Sequence, residues 1–111
     1  LIILICYIQI IILSNFMNKS EKIRNIRTKI DEIDLKILNL ISERKDLVTE
    51  IVKFKNRNQI IDQERISKIL ESLDAEASKR GIPRALVRKL WEGMIQSFIS
   101  YEEELFDKSK N

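Results

Sequence analysis

Histidine is absent from the 111 residues, cysteine and proline occur once each, and glycine occurs twice. Without histidine there is no Ser-His-Asp or Cys-His nucleophilic scheme and no histidine-based metal site. The single cysteine, Cys6, forms no intrachain disulfide and no zinc cluster, and it gives no sign of an oxidising compartment. The expected setting is the cytoplasm, with no metal and no cofactor. So few turn formers argue against a sandwich or barrel and favour a few long helices. Charge of one sign is not massed either. Lys+Arg number 20 against 17 Asp+Glu, so the net charge is +3, and the pI near 9.1 is weak support for a nucleic-acid partner. The length bounds the chain to one domain.

What is present divides at Met17. Residues 1–16 carry no charge and thirteen of them are apolar, whereas every charged residue lies beyond them. A membrane-spanning helix needs roughly 18 or more apolar residues. Leu1–Leu13 supplies 13 positions with Gln9 among them, so a span is not expected. A signal peptide needs a basic start and a small-residue cleavage site, and neither is seen. The reading favoured for residues 1–16 is an over-extended start or non-domain leader, with an export signal as the alternative. Residues 17–111 are read as the helical domain.

From Ile23 the apolar residues fall at Ile26, Ile30, Ile33, Ile37, Leu40, Leu47, Ile51 and Phe54, alternating steps of 3 and 4 around one gap of 7. This predicts one uninterrupted helix from about Ser20, as N-cap, to about Asn56. Such a helix would be about 55 Å long at ~1.5 Å per residue, against a radius of gyration of ~12–13 Å for a domain of this size. It must project and expose its stripe, and a second copy of the chain is the simplest cover. A second helix is expected from Asp62, as N-cap, to about Arg80, with Ile66, Ile69, Leu70, Leu73 and Ala77 inward. Gly81 then serves as C′ and Pro83 suits the first turn of a third helix. The third stripe reads Leu86, Val87, Leu90, Trp91, Met94, Ile95, Phe98, Tyr101 and Leu105, and the tail 107–111 is expected to fray. The fold class is all-α: three helices, one very long, in a homodimer.

Two charges stand where these stripes call for apolar residues. Arg44 fills the midpoint of the 7-residue gap, and Glu102 continues the steps of Ile95 and Phe98. An unpaired buried charge costs several kcal/mol in effective terms, on the order of the figures for buried ions. The plain account is that Arg44 and Glu102 neutralise each other, or that both reach solvent. Lys55, however, lies 11 residues beyond Arg44, nearly three whole turns, so it points the same way about 16 Å along. Arg65 flanks Ile66 at the start of the second helix. Two or three cations and one carboxyl then face inward, and a small polyanion is the natural missing partner. Arg27 lies 17 residues before Arg44, about 25 Å along a straight helix, too far for one metabolite to touch both. It is either a solvated charge beside Asp31 and Asp34 or a contribution to the site of a partner subunit.

The same residues carry a family resemblance. Ile26-Arg27-x-x-Ile30-Asp31-x-Ile33-Asp34, Leu40-Ile41-Ser42-Glu43-Arg44, Val52-Lys53-Phe54-Lys55 and Asp62-x-Glu64-Arg65 together resemble the all-helical chorismate mutases, over about residues 20 to 106. Their relatives, the isochorismate–pyruvate lyases, share the motif set. The resemblance implies an intertwined homodimer whose substrate is the small dicarboxylate chorismate, converted to prephenate in aromatic amino acid biosynthesis. It implies that Arg44 and a partner's Arg27 hold the two carboxylates, and that Lys55 bonds the ether oxygen and a carboxylate. Arg65 would support the carboxylate end, Asp62 would lie by the ring hydroxyl, and Glu102 would face Lys55 across the ether oxygen. Three positions depart from the common pattern. Many relatives have Gln in place of Glu102, and a carboxyl must be protonated to donate there. Ile66 replaces a Glu that contacts the substrate hydroxyl, as also happens in the lyase branch, and Phe98 replaces a small polar residue near a carboxylate. The competing readings are the lyase, supported by Ile66, and a non-catalytic helical interaction module. The latter would use the cluster Lys79, Arg80, Arg84, Arg88 and Lys89, which otherwise reads as a solvated face. Neither nucleic acid nor membrane is an expected partner.

Overall fold

The computed structural model describes residues 1–109, the side chain of Met17 excepted, and all its regular structure is helical. Helix α1 spans Ile2–Val52, a 3₁₀ turn spans Arg57–Gln59, α2 spans Gln63–Lys79 and α3 spans Arg84–Ser109. The chain divides into two units, Leu1–Ser42 and Glu43–Asn111.

The first unit is helix alone. Helix α1 begins at Ile2 rather than at Ser20, because nothing between the leader and Ile23 breaks it: no Gly or Pro occurs there, so Ser20 sits inside the helix rather than capping it. Among its described residues only Ile41 is even partly covered, and the expected stripe lies open, with Ile26 56 % exposed and Ile33 53 %. The helix also carries on past Leu13, and an 18-residue window of it reaches a mean hydropathy of 1.7 with none of it buried. By length and composition it qualifies to cross a membrane, a test that the shorter count over Leu1–Leu13 does not meet.

In the second unit the end of α1 packs with α2 and α3. Helix α1 stops at Val52, four residues short of Asn56. Its last turn tightens, with the amides of Phe54 and Lys55 donating to the carbonyls of Ile51 and Val52, and Asn56 then turns extended. The Asn56 amide donates to Gln59 Oε1 at 2.8 Å, which ties down the short 3₁₀ turn. Asp62 caps α2 as expected, its Oδ1 accepting from the Arg65 amide at 3.0 Å. At the other end Gly81 adopts φ +67°, and the amides of Ile82 and Gly81 donate to Ala77 and Ser78. This is the paired closure that a left-handed C′ glycine permits. Pro83 sits one residue before α3, its carbonyl accepting from Leu86 and Val87.

The core is small. Ile60, Ile95 and Ile99 form its centre, with Ile66, Ile69, Leu70, Trp91 and Phe106 against them, and Val52, Ala77 and Val87 are also buried. The inward face differs by one position from the expected stripes. Val48 and Val52 point inward, whereas Leu47 and Phe54 are 65 % and 83 % exposed; on α3, Ile99 is buried while Leu86 and Leu90 are exposed. The end of α1 therefore carries two adjacent apolar faces, and only one of them finds its partner within this unit.

Candidate active site

A cavity of about 180 Å³ opens within the second unit, walled by all its helices and the connection between α1 and α2. Its polar lining is Arg44 from α1, Lys55 and Asp62 from the connection, Arg65 from α2 and Glu102 from α3. Arg44 and Lys55 do face one space, but α1 ends at Val52, so Lys55 reaches it from the connection rather than from a further helical turn. Asp62, expected there from the resemblance, adds a second carboxylate to the one that helix periodicity turns inward. The remaining wall is apolar, with Val48, Ile66, Ile69 and Phe98 among the lining residues. Three cations therefore meet two carboxylates in a largely apolar enclosure.

The charges are not evenly matched. Glu102 is 6 % exposed, yet its partner is Lys55 rather than Arg44: Lys55 Nζ donates to Glu102 Oε1 at 2.8 Å. The mutual neutralisation of Arg44 and Glu102 is thus not what the fold builds. Asp62 is occupied at Oδ1 by the cap of α2. The Arg44 guanidinium lies over the Phe98 ring, with Cζ 4.2 Å from the centroid. Arg44 Nη1 is a buried side-chain donor with no hydrogen-bond partner among the described residues. Burial, chiefly, pushes the Arg44 guanidinium below its ordinary value; Glu102 pulls it back up and neighbouring Arg65 lowers it further. An arginine stays charged nonetheless. A buried, charged donor left unpaired costs about 1–3 kcal/mol or more, and an anion placed there would remove that cost.

The structure brings together seven of the expected residues: Arg44, Lys55, Asp62, Arg65, Ile66, Phe98 and Glu102. Arg27 is not among them; it is an exposed residue of the first unit. The contact of Arg44 with Phe98, and the bond between Thr49 Oγ1 and Tyr101 Oη at 3.1 Å, are additions that the sequence pattern did not suggest. Four of the five cations in the basic cluster at the α2–α3 turn have carboxylate partners close by. Arg84 pairs with Asp74 at 2.9 Å, Arg88 with Glu92 at 3.0 Å, and Lys79 and Arg80 with Glu76. That arrangement suits a solvated face better than a phosphate-binding one.

The chain is similar to proteins of one known family. The family described as chorismate mutase type II matches residues 26–103. A chorismate mutase of Methanocaldococcus jannaschii is 30 % identical over 93 residues, covering 82 % of this chain and 94 % of that protein. A bifunctional chorismate mutase/prephenate dehydratase of Buchnera aphidicola is 32 % identical over 87 residues, which are 77 % of this chain but 23 % of that protein. The T-protein of Haemophilus influenzae is 26 % identical over 97 residues, 86 % of this chain and 26 % of that protein.

Proposed function

The chain belongs to the type II chorismate mutase family, and we propose that it isomerises chorismate to prephenate at the cavity between α1, α2 and α3. The single observation that carries this is Arg44: a buried guanidinium with an unpartnered Nη1, beside Lys55 and Arg65, asks for a small anion. The reaction is a pericyclic rearrangement with no covalent intermediate and no proton transfer, which suits a chain without histidine. Two effects suffice. The cations hold the compact, chair-like conformer, a positioning effect. Lys55 donates to the ether oxygen as negative charge grows there, an electrostatic one. Arg44 takes one carboxylate and Arg65 supports the carboxylate end, Asp62 meets the ring hydroxyl, and Glu102 orients Lys55 and faces the same ether oxygen.

The cavity's own charges leave one cation in excess, whereas chorismate carries two carboxylates. We assign the second cation to Arg27 of a partner subunit, in an intertwined homodimer with two sites. The open stripe of the first unit supports this, since burying an isoleucine side chain is worth about 1.5–3 kcal/mol and several lie exposed in a row.

The test is turnover by the full chain, following loss of chorismate by absorbance and identifying the product as prephenate. A folded protein that leaves chorismate untouched removes the reading. Ile66 in the cavity wall keeps one second reading open, the isochorismate–pyruvate lyase. Salicylate fluorescence from isochorismate, without prephenate from chorismate, would select it.

A further inference from the structure

We infer that Phe98 is a positioning residue: its ring face, braced from behind by Tyr101, holds the Arg44 guanidinium so that its hydrogen-bonding edge is presented to the substrate. This rests on the mutase reading for the identity of the substrate, but not for the grip itself.

A guanidinium has five N–H donors in its plane and an apolar face above and below. A carboxylate that fixed Arg44 from within the protein would consume the in-plane edge. An aromatic face fixes it without taking a single donor. The structure follows the second course. Arg44 Cζ stands 4.2 Å from the Phe98 centroid, while Nη1 has no partner among the described residues. Of the cavity's two carboxylates, Glu102 accepts from Lys55 at 2.8 Å through Oε1 and Asp62 accepts from the Arg65 amide through Oδ1.

Phe98 is held in turn. Tyr101, one turn along α3, meets it edge to face, with centroids 6.4 Å apart and planes at 86°. The Tyr101 hydroxyl reaches Thr49 Oγ1 at 3.1 Å. Thr49 already donates its own hydroxyl to the Lys45 carbonyl at 2.9 Å, so Tyr101 is the donor in the pair. The chain of contacts runs from α1 at Thr49, across α3 at Tyr101 and Phe98, and back to α1 at Arg44. It closes a loop that fixes the guanidinium's plane.

Three variants and one spectroscopic readout test this. Phe98→Leu keeps an apolar side chain and removes the face. Its expected effect is a rise in KM for chorismate of roughly 3- to 30-fold, the range of a desolvated cation–π contact, with kcat little changed because a carboxylate contact serves ground and transition states alike. Phe98→Trp keeps a face and should lie closer to wild type than Phe98→Leu. Tyr101→Phe, which drops only the hydroxyl, should raise KM by a smaller factor. In the NMR spectrum, the Arg44 Nε–H proton of wild type should be shifted upfield by the ring current and return to an ordinary position in Phe98→Leu. An unchanged KM in Phe98→Leu, or an unshifted Arg44 signal in wild type, overturns the grip; an unchanged KM in Tyr101→Phe overturns the brace. A kcat that falls with the folded fraction at constant KM would mark Phe98 as merely structural. A wild-type chain without chorismate turnover would instead defeat the mutase reading, and the NMR comparison would still decide the grip.

Discussion

Replacing Arg44 by Met should cripple the enzyme without weakening the fold, and the two halves of that expectation come from the same atoms. Arg44 supplies the unpartnered donor at the cavity. Losing a buried charged donor to a substrate carboxylate costs about 2–4 kcal/mol, which should lower kcat/KM by about 30- to 1,000-fold, chiefly through KM because that contact serves ground and transition states alike. Its effect on stability has the opposite sign. The orphaned Nη1 costs about 1–3 kcal/mol when buried. The contact with Phe98 returns about 0.5–2 kcal/mol, and the Met sulfur on the same ring would recover about 0.3–1.5 kcal/mol. Because Arg44 is only partly buried, the low end of the first figure applies. The net change is then about zero to 1 kcal/mol in favour of Arg44→Met, a Tm unchanged or a few degrees higher. Chorismate turnover and thermal unfolding by circular dichroism, at one protein concentration, measure both. A kcat/KM within threefold of wild type would refute the role of Arg44. So would a Tm lower by more than about 5 °C, since Arg44 would then be holding the fold rather than awaiting an anion.

If Arg27 acts across the two-fold axis, Arg27→Ala and Arg44→Met should each be inactive, yet their mixture should recover about a quarter of wild-type activity, since half the dimers are mixed and one site in each is whole. No recovery after subunit exchange would place Arg27 elsewhere. Glu102→Gln keeps an acceptor for Lys55 and adds an N–H donor able to reach the ether oxygen, so kcat should stay within about tenfold of wild type, whereas Glu102→Ala, which removes the partner of Lys55, should lower it further. Equal kcat in Glu102→Ala and wild type would reject a role for this side chain. Asp62→Ala removes the cap of α2 and should lower stability by about 0.5–2 kcal/mol, read from denaturant midpoints.

Much of this protein could be read from its residues alone, and the reasons are local. Helix period, a capping aspartate and a C′ glycine act within a few residues of themselves, so α2 and its ends came directly from Asp62 and Gly81. Helix period led to the expectation that Arg44 and Lys55 converge, and they do, but α1 ends at Val52 and it is the tightened turn after it that carries Lys55 to the cavity. The start of α1 was not legible, because Ser20 is a cap only if the helix has reason to begin there, and the apolar run before it is as helical as the charged stretch after it.

Tertiary structure decided matters of partner and facing. Periodicity marked Leu47 and Phe54 as apolar but could not say whether they face this unit's own helices; Val48 and Val52 took that place. Periodicity alone offered Arg44 as a partner for Glu102, and the packing of α3 joined it instead to Lys55 of the connection, the facing that the resemblance implied. The same packing also laid Arg44 on Phe98, because a side chain's partner depends on distances across helices that no one-dimensional spacing contains. Composition and period set which residues could form the charged cavity; the packing of three helices set which charges cancel and which one is left waiting.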